Sequence, residues 1–151
     1  MGTFDDVNAI SKIAVNTHLA GAAGTVAGAT ITRLMAGKTD IVMMLNGALA
    51  GLVAITAEPL TPSPLLAILI GFVGALIMYF GTKFLESQRL DDVVGAIPVH
   101  MFAGIFGTLV VPASNPETNF GTQFLGVISV CAFSFCLLYT SDAADDLFCV
   151  D

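Results

Sequence analysis

Five apolar runs, at residues 13–34, 41–57, 65–85, 93–111 and 120–135, dominate this chain and leave little room for any other organisation. Runs of about 17–25 apolar residues match the hydrocarbon thickness of a bilayer. The breaks between them read "AGKTD", "EPLTPSP", "ESQRLDD" and "PASNPETN", each rich in charge, Gly, Pro or Asn. Within a run the apolar residues are continuous rather than alternating. That favours helices over strands, because in lipid a single segment satisfies its own backbone only as a helix. Composition agrees: 11% of residues are charged and mean hydropathy is +0.87, whereas soluble chains carry about 25% charged residues. The expected fold class is an all-α membrane protein.

The basic residues orient it. Arg33 and Lys38 flank the first connection, and Lys83 and Arg89 the third. The second and fourth carry Glu58 and Glu117 and no Lys or Arg. The positive-inside rule places the first and third connections in the cytoplasm, giving a multi-pass protein of the cell (inner or plasma) membrane. The formal charge of −7 includes several acids near the C-terminus, and no surface here suits nucleic acid. Cys131, Cys136 and Cys149 lack metal-ligand spacing, so neither a metal nor another cofactor is expected. The opening "GTFDDVN" has no basic segment and no apolar core of a signal peptide. No Ser/His/Asp set, Walker loop, GxGxxG or catalytic carboxylate pair occurs, so enzyme function is not expected.

Small residues recur at close spacing. Gly24 and Gly28 form GxxxG, as do Gly47 and Gly51, and Gly71/Gly74 and Gly104/Gly107 add closer pairs. Lipid supplies no hydrophobic drive between helices, so these positions read as packing surfaces where backbones approach. His100, in "GAIPVHMFAGIFGTLVV", is different. It lies far from either end of its run, and an ionisable residue at membrane depth is costly enough to mark a functional site. Ala96 and Gly104 lie four residues to either side, with Gly107 a turn beyond, which suits a pore or a tight interface. The bland alternative is a neutral imidazole bonded to a neighbouring helix. His18, nearer the end of its run beside Asn16 and Thr17, reads as structural or interfacial. Asp91 and Asp92 read as helix caps, Pro98 as a bend just before His100, and Asn46 as an interhelical hydrogen-bonding residue.

The stretches "AVNTHLAGAAG", "GALAGLVAITA" and above all "RLDDVVGAIPVHMFAGIFGTL", followed by "FGTQFLGV", occur in an order and spacing that resemble the ammonium transporter/methylammonium permease/Rhesus family. The resemblance implies an eleven-helix fold with two five-helix halves in inverted repeat, of which this chain looks like helices seven to ten and the start of eleven. It further implies a histidine pair along a narrow apolar pore, one from each half, with His100 matching the second-half member and Ala96 and Leu49 matching pore-lining positions. Ammonium or ammonia would be the substrate, the lipid bilayer the surroundings, and a homotrimer the full-length assembly. Two positions depart from the family pattern: Gly95 stands where members often have an acid, and Met101 where they often have glycine. The partner histidine, the outer vestibule and the aromatic gate would belong to the other half, so residues 1–135 are not expected to conduct alone. A sensor with the same membrane body, and a non-transporting scaffold held by its GxxxG faces, are the competing readings.

The final stretch, "CLLYTSDAADDLFCVD", is expected not to be native. Its first ten residues are the translation of TGT CTC TTA TAC ACA TCT GAC GCT GCC GAC, which resembles a transposase-type sequencing-library adapter. The adapter resumes in frame at Cys149–Asp151 after an index of roughly eight bases, and segments of that kind are excluded from fold reasoning. On this expectation Asp142, Asp145, Asp146 and Asp151, with Cys136 and Cys149, carry no functional information.

Overall fold

The structure, a computed structural model, describes residues 3–148, with side chains as far as residue 138. It is helical throughout the described residues, and each start has a local cause. Helix α1 (Phe4–Ala36) opens on a capping box: the Thr3 hydroxyl accepts from Asp6 N, and Thr3 N donates to the Asp6 carboxylate at 2.7 Å. The helix therefore begins at Phe4 rather than at Ile13, because capping extends it beyond the apolar residues. It stops at Gly37, whose φ of +71° suits a residue without a Cβ. Helix α2 (Ile41–Ile55) is capped by Asp40, which accepts from Val42 N and Met43 N. Helix α3 (Pro64–Ser87) starts with Ser63 as cap and Pro64 in the first turn, where its missing N–H costs nothing.

The expected fourth helix, 93–111, is composite. A π-helical stretch, Ile97–Phe102, leads into α4 (Ala103–Val110), which ends in a 3-10 turn at Val111–Ala113. Gly95 at φ +73° and Pro98 prevent a plain α-helix from starting at residue 93. Helix α5 (Phe120–Phe148) continues past residue 135, since Cys136–Phe148 contains neither Gly nor Pro to stop it. The last adapter-like residues, 149–151, lie outside the described residues.

Helices α1, α2 and α3 pack together through backbone contact. Cβ atoms at Gly51 and Gly71 would both run into Ala20 O, so Ala20 is the point where the three helices converge. Gly24 faces Gly47, and a Cβ at Gly28 would lie 2.6 Å from Met43 O. The two GxxxG motifs thus form one seam, as expected where dispersion replaces hydrophobic drive. Around it sit Ala54, Ile55, Ala67 and Ile70, with Phe106 and Val110 of α4 packed against them. A second cluster, Ala50, Met78, Val99 and Ala103, joins α2 and α3 to the His100 segment.

Polar bonds fix the loops. Asn16, fully buried, donates to both Pro59 O and Pro62 O at 2.9 Å, tying α1 to the α2–α3 connection. Thr61 donates to Ser114 at 3.2 Å, and Asn115 to Glu58 at 3.3 Å, so the second and fourth connections meet at one end of the bundle. That is the pairing of loops the basic residues anticipate. Helices α3 and α5 are long and apolar enough to cross a membrane, with mean hydropathies of 2.3 and 1.8, and Ile41–Ile55 and Ile97–Ala113 are shorter apolar helices. Helix α5 stands apart from the bundle: none of Phe120–Leu138 is buried, and it touches chiefly α4.

Candidate functional site

The site is built around an irregular backbone. Pro98 lies in the first turn, where its missing N–H costs nothing, and Gly95, at φ +73°, breaks any helical path from Val94 into it. Asn46 of α2 reaches the turn that precedes the helix, its Nδ2 donating to Val94 O at 3.1 Å. Just before the helix, the Asp92 carboxylate accepts from Ala96 N and Ile97 N, both at 2.9 Å. Asp92 is thus the cap, whereas Asp91 is exposed. Gly95, where the resemblance leads one to expect an acid, is buried and leaves room for Asn46: a Cβ there would lie 2.7 Å from Asn46 Nδ2. Further along, Ala103 N reaches Pro98 O, a bond spanning five residues that widens the helix at His100.

His100 is exposed and lines a cleft of about 810 Å³ between α4 and α5. Gly104 and Thr108 line it from one side, and Val130, Cys131 and Ser134 from the other. Among the described residues, no hydrogen bond to the His100 ring occurs, so the interhelical-bond alternative has no partner within them. The small-residue face expected around His100 does not hold together as one surface. Gly104 shares the cleft, but Gly107 is buried against the Ala54 backbone of α2, and Ala96, although exposed, does not line it. Leu49 is 47% exposed on α2 and does not line this cleft either. His18 is exposed, its Nδ1 at 2.7 Å from Ala14 O one turn back.

Asn46 bonds another segment, as the sequence suggests, but its partner beside Gly95 and the widening of the helix were not read from the sequence. A proline two residues before the histidine and a glycine three before that were the available signals. Among the described residues there is no cluster of His, Cys, Asp and Glu able to hold a metal ion.

The Ammonium Transporter Family model matches residues 2–140. The chain belongs to the ammonium transporter family. Ammonium transporter Amt2 of Archaeoglobus fulgidus is 49% identical over 102 residues, covering 68% of this chain and 22% of that protein. A putative ammonium transporter of Synechocystis is 37% identical over 138 residues, covering 89% of this chain and 31% of that protein. The chain therefore spans about a quarter of the length of these ammonium transporters. Among solved structures, one titled Sensor Amt Protein superposes with a TM-score of 0.78 at 30% identity, covering 85% of this chain and 35% of that one. The Candida albicans Mep2 mutant delta442 superposes with a TM-score of 0.75 at 24% identity, over 83% of this chain and 37% of that one, and this likeness bears on fold alone. The helical architecture is thus that of ammonium transporter family members, which are membrane proteins whose relatives are named as transporters rather than enzymes.

Proposed function

We propose that this chain is part of a transporter that conducts ammonium across the cell membrane as ammonia, with His100 lining the pore. The observation that carries the reading is an imidazole in the π-helical first turn of a family member's apolar segment Ile97–Ala113, open to a cleft rather than buried in the bundle. It lies closer to the start of the helix than the apolar run 93–111 leads one to expect. The chemistry fits. Bare ammonium is costly to desolvate in an apolar channel, whereas ammonia is much less so. A neutral imidazole has one donor and one acceptor to offer along the path. On this reading the five helical segments are helices seven to ten and the start of eleven, crossing the bilayer in turn, and Ala96 and Leu49, exposed but outside the His100 cleft, line other stretches of the pore. The other inverted-repeat half covers the exposed His100 face and supplies the second histidine, and the full-length protein is a homotrimer. Residues 136–151 are adapter-encoded and contribute nothing. Resequencing the genomic locus tests that point directly: a native acidic tail there contradicts it.

The functional test is uptake in a transport-deficient cell. The full-length gene product restores saturable ammonium uptake, and residues 1–135 alone do not. Saturable uptake by the 135-residue piece would overturn the half-protein reading. A second reading, an ammonium-sensing membrane domain, is favoured by the likeness to the structure titled Sensor Amt Protein. A soluble signalling domain encoded downstream of α5 would decide for it. A scaffold without transport predicts no uptake from either form.

A further inference from the structure

We propose that Asn46 is a positioning residue for His100: its bond to Val94 O fixes the register of the π-helical stretch that carries the imidazole. This rests on the reading of His100 as a pore residue. A helix can absorb an extra residue at more than one place, and each placement turns a different side chain toward a given face. Here the first turn is fixed by four features. Asp92 holds Ala96 N and Ile97 N. Val99 N bonds Gly95 O at 3.2 Å, and Gly95 adopts a left-handed backbone. The fourth feature, Asn46 Nδ2 on Val94 O, is the one that comes from another helix. The first three are local and would travel with the segment if it rolled. Asn46 alone among them ties the segment to the bundle, and it does so in the turn just before the first helical residue. Gly95 is part of the same device, since any side chain there would occupy the position of the Asn46 amide. Leu49 lies three residues beyond Asn46 on α2, so a shift of this bond would move the His100 segment relative to Leu49 as well.

The test uses the full-length gene product with Asn46→Ala, Asn46→Asp and Gly95→Ala, singly and with each Asn46 variant combined with Gly95→Ala. Ammonium and methylammonium uptake are measured at matched surface abundance. On the detergent-solubilised protein, mass spectrometry follows the rate at which diethyl pyrocarbonate modifies His100. Asn46→Ala is expected to change KM and the ammonium-to-methylammonium ratio by about fivefold and to alter the His100 modification rate. Asn46→Asp, the same size but without the donor at neutral pH, is expected to do the same. In the Gly95→Ala background the added methyl already displaces the Asn46 amide, so the Asn46 effects should shrink to less than about twofold. A merely structural role lowers abundance and leaves KM, ratio and modification rate unmoved. Asn46 variants that match wild type in all three, or that cost equally in both backgrounds, overturn the proposal. Wild-type protein without ammonium uptake overturns the transport reading instead, and the His100 modification rates still decide the positioning.

Discussion

The Asn46 side chain donates to the Val94 carbonyl at 3.1 Å, bridging 48 positions of sequence between α2 and the entry to the His100 segment. Gly95, the next residue, sits at φ +73° with no room for a Cβ. Gly95→Ala should therefore destabilise the protein by about 1–2 kcal/mol from the left-handed backbone alone. Displacement of Asn46 adds to that. Thermal unfolding of the solubilised protein reads the effect, and an unchanged midpoint would contradict the placement of Asn46 over Gly95.

The seam between α1 and α2 makes a paired prediction. Gly28→Ala places a methyl 2.6 Å from Met43 O and should cost about 1–3 kcal/mol by forcing the helices apart. Gly126→Ala, inside α5, meets nothing within 4 Å and should leave stability undiminished or raise it by up to about 1 kcal/mol. Equal effects of the two substitutions in the same unfolding assay would mean that α1 and α2 do not meet at this seam.

Asn16 bonds two carbonyls of the α2–α3 connection and is fully buried, its Oδ1 without a partner among the described residues. Asn16→Ala leaves Pro59 O and Pro62 O without that donor and should cost about 1–3 kcal/mol. Protease susceptibility at the 56–63 loop should rise with it. A loop as resistant as in wild type would count against the tie.

The capping box at α1 predicts a pH dependence. The Thr3 backbone N–H, and secondarily the Thr3 side chain, hold the Asp6 carboxyl below the usual carboxylate range. Bonding to the charged form stabilises the folded first turn. Its contribution is complete above the unfolded value of about 3.9 and is lost as pH falls through the lower folded value. An NMR titration of Asp6 should show the depressed midpoint, and Thr3→Pro, which removes the N–H, should raise it. An Asp6 midpoint that is the same in both proteins contradicts the cap.

The helical class and the meeting of the second and fourth connections at one end were legible in the sequence because apolar length, breaker residues and basic residues each report them independently. The GxxxG seam was legible for the same reason: small residues four apart have few other uses in lipid. Helix boundaries were less so. The start at Phe4 depends on Thr3 and Asp6, a polar signal that an apolar pattern passes over. The π-helical stretch was hidden more deeply. Pro98 reads as a bend, yet it sits in the first turn, where its missing N–H costs nothing, and the turn before it is tied to Asn46, which is distant in sequence. Ala96 and Gly104, symmetric about His100 in an ideal helix, do not share the same cleft.

The central claim is that His100 lines the path of the transported species. The most direct measurement is the ratio of ammonium to potassium uptake by the full-length gene product and its His100→Ala variant, at matched abundance in a transport-deficient cell. The account predicts that the variant loses about tenfold or more of this ratio, since an imidazole that handles the proton and the ammonia distinguishes them from a simple cation. A variant with the wild-type rate and the wild-type ratio would contradict it.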